Sequence, residues 1–485
     1  MKSLFINNTW LNGGGDSFVS KSPNDGKIIF EGRFATKTNC NNAVENAKNA
    51  QKSWYELGLN KRIEFIRKFI EIVKENKDEL SKTISIEVGK PKWEADGEIN
   101  SIIKKIEPCI DAYNTRCKDI IIEKNGVKGI TRFMPLGVMC IIGPYNYPMH
   151  MTNGQIMAGL IAGNTIVLKP SDKAPLCATR IIECWEKAGL PSGVINMVQG
   201  GAQTVEYLVK NKDVNGIYFT GSYKVGQIIN NMCSSNQMCA LEMGGDGPIV
   251  AWDSSDIKSA AITIIQGAFG TAGQKCVSTR RLIVQDNTFG KNLIKEVVKL
   301  SKNIIVGRYY DEETPFMGPL RTPQMVENAL KLQKYLLSKG CKSLLEARTM
   351  NIGDCFITPA IIDVTGVSYT LKDEVFAPFL RIIRVKNFED ALKEVNNSQY
   401  GLATSIITED VELYKKFLNT AKFGIINLNK PTVGSSAWAG FGGIKNSGNF
   451  RPSGYLASDF CSYAVAISES NKLANIELPK GIKQK

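Results

Sequence analysis

Two side chains with the chemistry of a nucleophile and a base stand 34 positions apart, each beside glycines. Cys276 closes Gly273-Gln274-Lys275-Cys276, and Glu242 opens Glu242-Met243-Gly244-Gly245. Glycine lets a backbone approach a ligand closely or adopt positive φ. A thiol and a carboxylate held at such points can divide covalent and general-base work between them. Taken singly, each has a plainer reading. A lone cysteine is most often a small buried hydrophobe, and a glutamate before Gly-Gly is most often a residue beside a turn. What gives them weight is the company of other segments.

Composition excludes the competing chemistries. Of 12 cysteines none forms a C-x-x-C pair, and the only histidine is His150, so neither a zinc site nor any other metal site is expected. Every Ser-His-Asp or Cys-His scheme would have to run through His150, which no motif supports. The scattered cysteines suit reduced, mostly buried thiols in a cytoplasmic protein. The net charge of +13 attracts anions. The lysines are nevertheless spread along the whole chain, without the dense block that marks a nucleic-acid surface. No apolar run reaches the ~18 residues of a membrane span, and the start, Met1-Lys2-Ser3-Leu4-Phe5-Ile6-Asn7-Asn8, is too short and polar for a signal peptide.

The elements that must position these groups follow in chain order. Residues 1–36 read as short strands and turns, with Pro23-Asn24-Asp25-Gly26 as strong turn chemistry. From Asn41 to Asn114 the period becomes helical; Ile63, Phe65-Ile66, Phe69-Ile70 and Val73 form one apolar stripe, and the charges between are expected to face water, as in a helical arm outside a domain. Lys124-Asn125-Gly126 predicts a hairpin between strands near 120 and 130. Continuous apolar runs at 137–142, 165–169, 194–198, 216–219 and 248–251 predict five strands of one parallel, Rossmann-like sheet. A second α/β pattern follows, with strands expected at 281–284, 356–357, 380–385, 402–407 and 424–427. A last strand at 459–467 has no local partner; the hairpin at 119–133 is the natural one, within the chain or across a subunit interface.

Several segments become legible together. Gly143-Pro144-Tyr145-Asn146-Tyr147-Pro148, Phe219-Thr220-Gly221-Ser222-Tyr223-Lys224-Val225-Gly226, Glu242-Met243-Gly244-Gly245 and Gly273-Gln274-Lys275-Cys276 stand in one order and spacing. Glu374-Val375-Phe376-Ala377-Pro378 and Phe441-Gly442-Gly443-Ile444-Lys445-Asn446-Ser447-Gly448 extend the pattern. This set closely resembles the aldehyde dehydrogenase superfamily, over essentially the whole chain to about residue 468. The resemblance implies an α/β fold of three parts: a Rossmann-like NAD(P)-binding domain (1–117 and 136–245), an α/β catalytic domain (246–440) and a small β oligomerisation element (118–135 and 455–470). Residues 471–485 are read as a mobile tail. It also implies a homodimer or dimer of dimers.

By the same resemblance Cys276 attacks the aldehyde as nucleophile, Asn146 supplies an oxyanion donor, and Glu242 activates the water that hydrolyses the thioester. Gly221, Ser222, Tyr223, Lys224, Val225 and Gly226 would hold the cofactor's pyrophosphate at a helix N-terminus. Ile142, Lys169, Asp172, Glu374 and Phe376 match further cofactor positions. Most NAD-preferring relatives carry Glu where Asp172 stands, so NAD is favoured and the shorter side chain leaves NADP open. Ala377 replaces the usual Gly, which is expected to stiffen that turn.

Within the superfamily the chain is most similar to the succinylglutamate semialdehyde dehydrogenases of arginine catabolism. Asn153-Gly154, Val198-Gln199-Gly200-Gly201, Phe316-Met317-Gly318, Ile362 to Val367 and Ser447-Gly448-Asn449-Phe450-Arg451-Pro452-Ser453 carry that likeness. It implies a carboxylate-bearing aldehyde, with Arg451 as a bidentate clamp for the carboxylate. Asp246-Gly247 and Phe450 depart from the branch's usual Asn-Asn and His. Alternatives are another small or acidic aldehyde, the CoA-acylating branch, which generally lacks the base that Glu242 supplies, and a non-catalytic structural relative.

Overall fold

The computed structural model of the chain describes residues 1–124, 127–371, 374–469 and 478–483. Its frame is two seven-stranded sheets. The first runs Met238–Glu242, Gly216–Thr220, Val138–Ile142, Thr165–Lys169, Ile195–Val198, Leu4–Ile6 and Thr9–Leu11 in spatial order. Its first five strands are parallel and the last two antiparallel. Val138–Ile142 and Thr165–Lys169 are buried along their whole length, as continuous apolar runs between two helical layers must be.

Four of the five strands expected in this sheet are present. The fifth differs: Gly247–Ala251 lies in the second sheet, between Thr279–Gln285 and Ala403–Ile407, and Met238–Glu242 takes its place. Gly244-Gly245 carries the chain across. A Cβ at Gly247 would lie 2.9 Å from the Ser278 carbonyl and 3.0 Å from that of Ala403, so only glycine passes between these strands.

The second sheet runs Lys342–Leu345, Ala360–Asp363, Phe379–Val385, Thr279–Gln285, Gly247–Ala251, Ala403–Ile407 and Ile425–Leu428. All pairs are parallel except the first. The expected strand at 356–357 is instead a single bridge, Thr349 to Ile357. The ladder begins at Ala360, just past Pro359, which has no N–H to give it.

Helices Lys37–Glu56, Leu59–Glu75, Lys77–Val88 and Lys92–Arg116 are a structural layer and not an outlying arm. Trp54, Ile66, Phe69, Ile84, Ile99 and Ile102 share one core with sheet residues Met139, Ile141 and Ile166. Nor do all their charges face water: Arg62, Glu87, Lys90, Glu94 and Glu98 are buried. Glu87 accepts the N–H groups of Leu176 and Cys177, and Glu98 those of Met149 and His150. These are the starts of helices Pro175–Ala188 and His150–Ala162, which have no side-chain cap of their own. A carboxylate from a neighbouring helix thus satisfies their orphan donors.

Ile120–Lys124, Val127–Pro135 and Ser462–Ile467 form a three-stranded antiparallel sheet, so the last strand finds its partner within the chain. It starts at Ser462, because Tyr455–Phe460 is a 3-10 helix. The predicted Asn125-Gly126 turn lies outside the described residues, as does most of the predicted tail. Among the described residues no helix is long and apolar enough to cross a membrane.

Candidate active site

The first sheet ends in a crevice. Its strands leave Val138–Ile142 in opposite directions, toward Thr165–Lys169 on one side and Gly216–Thr220 on the other. Such a switch point opens a ligand crevice at the carboxyl ends of the strands. Register puts Ile142 beside Lys169 and Phe219, and Thr220 beside Glu242, on that one edge. Helix Tyr223–Met232 begins there, capped by Ser222, whose Oγ accepts the Val225 N–H at 3.4 Å. Cβ atoms at Gly221 and Gly226 would collide with Phe219 and Met243, so both glycines are required by packing. Tyr223, Lys224 and Val225 form the helix's first turn; Ser222 takes the Val225 N–H, and those of Tyr223 and Lys224 suit a pyrophosphate. Lys169 is buried, and burial pulls its ammonium below the ordinary lysine range. Asp172 is exposed three residues beyond it.

Cys276 packs against the small apolar cluster of Val277, Leu402, Ala403 and Ile425, on which Phe441 also rests. Burial, then Glu374, then Glu242, push its thiol up to about 12. Asn146, on the loop after Val138–Ile142, donates its side-chain amide to the Gln274 carbonyl at 2.8 Å. Gln274 is itself held by Tyr145 and by the Arg321 N–H, at 3.2 and 3.0 Å from its Oε1. Glu242, last residue of its strand, is buried, and burial raises its carboxyl to about 7. Ser453 and Thr220 support its charged form; Thr220 donates to Oε2 at 3.4 Å, while Oε1 is buried without a partner.

Two straps hold these groups. Ser447 accepts the Met243 N–H on its carbonyl at 3.0 Å and donates its hydroxyl to the Gly244 carbonyl at 2.7 Å. The segment Phe441–Gly448 therefore pins the turn that follows Glu242. Glu374 folds over the same turn, accepting the Gly245 N–H at 3.2 Å, where a Cβ on Gly244 would meet its carboxylate. Burial raises Glu374 to about 7, against the pull of Arg280 3.7 Å away. Phe376 packs edge-on against Tyr145 and under Arg280. Ala377 is not among the described residues with positive φ, so it occupies the usual glycine position without strain.

A cavity of about 270 Å³ is lined by Ser453, which supports the charge of Glu242, and by Phe441. Lys104, Lys105, His150, Ser435 and Ser436 line it with them. Arg451 does not. It is exposed, donates only to the Asn449 carbonyl at 3.3 Å, and its charge acts on Tyr218 and Cys239, under the edge strand of the first sheet. The neighbouring Asn449 is the structural part of that motif: it bonds Leu241 N–H and the Cys239 carbonyl, extending the strand that ends in Glu242. Two acids, a thiol, an amide and a crevice for a dinucleotide make an arrangement suited to covalent oxidation of a carbonyl.

The family model described as the aldehyde dehydrogenase family matches residues 10–466. The chain belongs to the aldehyde dehydrogenase family. It is 37% identical over 479 residues to an N-succinylglutamate 5-semialdehyde dehydrogenase of Pseudomonas fluorescens (strain Pf0-1), covering 98% of this chain and 97% of that one. Among solved structures it superposes on PnpE from Pseudomonas sp. WBC-3 with a TM-score of 0.93 at 27% identity, over 99% of both chains. A TM-score of 0.89 at 26% identity relates it to the NADP-dependent glyceraldehyde-3-phosphate dehydrogenase of Bacillus halodurans C-125 complexed with NADP, over 96% of this chain and 98% of that one. Within this aldehyde dehydrogenase, Lys105, Ser453, Gln274 and Thr220 were not foreseen as site residues. Lys105 sits in a helix whose charges were assigned to solvent, and nothing in its local sequence separates it from Lys104.

Proposed function

We propose that the protein oxidises an aldehyde to a carboxylic acid with a nicotinamide dinucleotide and water, and that its substrate is N-succinyl-L-glutamate 5-semialdehyde, converted to N-succinyl-L-glutamate in arginine degradation. The observation that supports the reaction is the approach of Cys276, Glu242 and Asn146 from three separate segments: Asn146 bonds the Gln274 carbonyl two residues before Cys276, and the Glu242 charge acts on the Cys276 thiol. The substrate reading rests on the 37% identity to the Pseudomonas relative. The crevice residues fit the dinucleotide: glycines closely approached by Phe219 and Met243, a helix N-terminus whose first N–H groups are open beside the Ser222 cap, and an exposed Asp172 where a 2′-phosphate would be repelled. NAD is therefore the favoured form.

Cys276 Sγ adds to the aldehyde carbon, and the thiol proton leaves; with the thiol near 12, a base must take it, and Glu242 near 7 is within electrostatic reach. The resulting thiohemiacetal oxygen is met by the Asn146 amide, released from Gln274, and by the Cys276 N–H. The bound nicotinamide supplies the hydride acceptor that turns this adduct into a thioester. Glu242 gives the thiol proton up to solvent, then removes a proton from water as it attacks the thioester; the C–S bond breaks and Cys276 leaves as thiolate while the acid departs. Glu374 and Phe376 position the reacting end of the crevice. The exposed outer strand Ile120–Lys124, with Ile120, Ile121 and Ile122 facing solvent, supports assembly as a homodimer or dimer of dimers.

A kcat/KM panel of semialdehydes with NAD and NADP tests the reading. N-succinylglutamate semialdehyde is expected to lead, and Cys276→Ala to abolish turnover while cofactor still binds. Another aldehyde leading the panel would replace the substrate; turnover in the variant would remove the mechanism.

A further inference from the structure

We propose that Lys105 is the cation that binds the carboxylate of the substrate, at the end of the cavity away from Cys276, with Ser435 and Ser436 on the facing wall as hydroxyl donors. This rests on the reading of the substrate as a carboxylate-bearing aldehyde, and it moves that recognition away from Arg451.

The cavity is built for an anion. It is lined by Lys104 and Lys105, by the hydroxyls of Ser101, Ser435, Ser436 and Ser453, and by no Asp or Glu. Lys105 is half-buried, and among the described residues it has neither a hydrogen bond nor an ion pair. Most other half-buried or buried cations near the site are paired: Lys90 with Glu98 at 2.6 Å, Lys275 with Glu94 at 3.1 Å, and Arg280 with Glu374. An ammonium drawn out of bulk water without a counter-charge is unfavourable, and an incoming carboxylate removes that cost.

Position agrees with charge. The Lys105 stem lies along Gly154 of helix His150–Ala162, where an added Cβ would be in contact with Cε at 3.4 Å. Its charge reaches both Glu242 and His150, so it is close enough to act inside the cavity and not only at its rim. His150 cannot share the role. Burial, then Lys105 and Lys90, lower it to about 3, so the imidazole is neutral at working pH. Lys104, one position earlier on the helix, also lines the cavity but is exposed, so its ammonium keeps its water and gains less from a carboxylate. A carboxylate at Lys105 would lie in the cavity among Phe441, Ser435 and Ser436.

The experiment compares kcat/KM for a carboxylate-bearing semialdehyde and an uncharged aldehyde of equal length, in wild type, Lys105→Met, Lys105→Arg and Arg451→Ala. Cofactor binding and the melting temperature check that each variant folds. Any indirect effect of Lys105 on Glu242 falls on both substrates and cancels in their ratio. Lys105→Met is expected to lower the carboxylate-to-uncharged ratio by about 30-fold or more, mainly through KM, with Lys105→Arg restoring most of it. Arg451→Ala is expected to move the ratio by less than about threefold, as an exposed charge outside the cavity should. A wild-type preference untouched by Lys105→Met, or removed by Arg451→Ala, overturns the assignment alone. A wild type that shows no preference for the carboxylate overturns the substrate class as well.

Discussion

The Asn146 side-chain amide donates to the Gln274 carbonyl at 2.8 Å, two residues before Cys276. The loop proposed to offer the oxyanion donor and the loop proposed to carry the nucleophile are thereby joined before any substrate arrives. The donor is held at a main-chain acceptor, from which it can turn to a developing oxyanion with little rearrangement.

Asn146→Ala removes both roles. The rate of the covalent step is expected to fall about 10²–10³-fold. Single-turnover hydride transfer measures it, and a change confined to KM would show that the amide does not meet the oxyanion.

Glu242→Gln separates the half-reactions. A burst of reduced cofactor is expected, followed by slow turnover; wild-type steady-state rates are expected to show a pH limb near 7 that the variant lacks. An unaltered limb would assign that titration to another group, Glu374 being the next with a raised carboxyl.

The same substitution has a stability consequence whose sign is fixed by burial. Folding raises the Glu242 carboxyl from the ordinary 4.5 to about 7, so the folded state disfavours its charged form. Wild type therefore loses stability as pH rises from about 4.5 to 7 and holds level above that. Glu242→Gln is expected to match wild type near pH 4.5 and to exceed it above pH 7 by up to about 3 kcal/mol. Urea midpoints at pH 5 and pH 8 give the comparison; equal differences at both would remove the linkage.

The Cys276 thiol is raised by burial and then by two carboxylates, with Glu374 ahead of Glu242. Removing either negative charge favours the thiolate. The midpoint of a pH–alkylation profile is expected to move down in Glu374→Gln and in Glu242→Gln, further in the first. An upward shift in either would contradict the electrostatics.

Asp172 is exposed beyond the buried Lys169. Asp172→Ser removes the carboxylate that repels a 2′-phosphate, and the NADP-to-NAD ratio of kcat/KM is expected to rise about tenfold or more. An unchanged ratio would place the adenosine ribose elsewhere.

How much of this was legible beforehand can be judged residue by residue. The buried strands Val138–Ile142 and Thr165–Lys169 showed as continuous apolar runs, because a strand covered on both faces has no polar side to alternate. The segments bearing Cys276, Glu242 and Asn146 were recognisable because each combines a reactive group with glycine or proline at a turn, a local feature of sequence. Which sheet a strand joins is not local. Gly247–Ala251 and Met238–Glu242 are both short apolar strands, and only the close packing at Gly247 sends the first to the second sheet. Burial of charge is equally non-local. Glu87, Glu94 and Glu98 looked like a solvated helix face until the N–H groups of Cys177, Thr271 and Met149 proved to lie within hydrogen-bonding reach.

The amino-acid sequence by itself determined the family, the kinds of reactive group and most of the buried strands, since these depend on residue type and short-range pattern. Only the tertiary structure decided which cation faces the cavity. Arg451 stands in a telling motif yet lies outside, while Lys105, from an ordinary helix, reaches inside. A side chain's environment is set by what packs across from it, and for Lys105 that is Gly154, 49 residues along the chain.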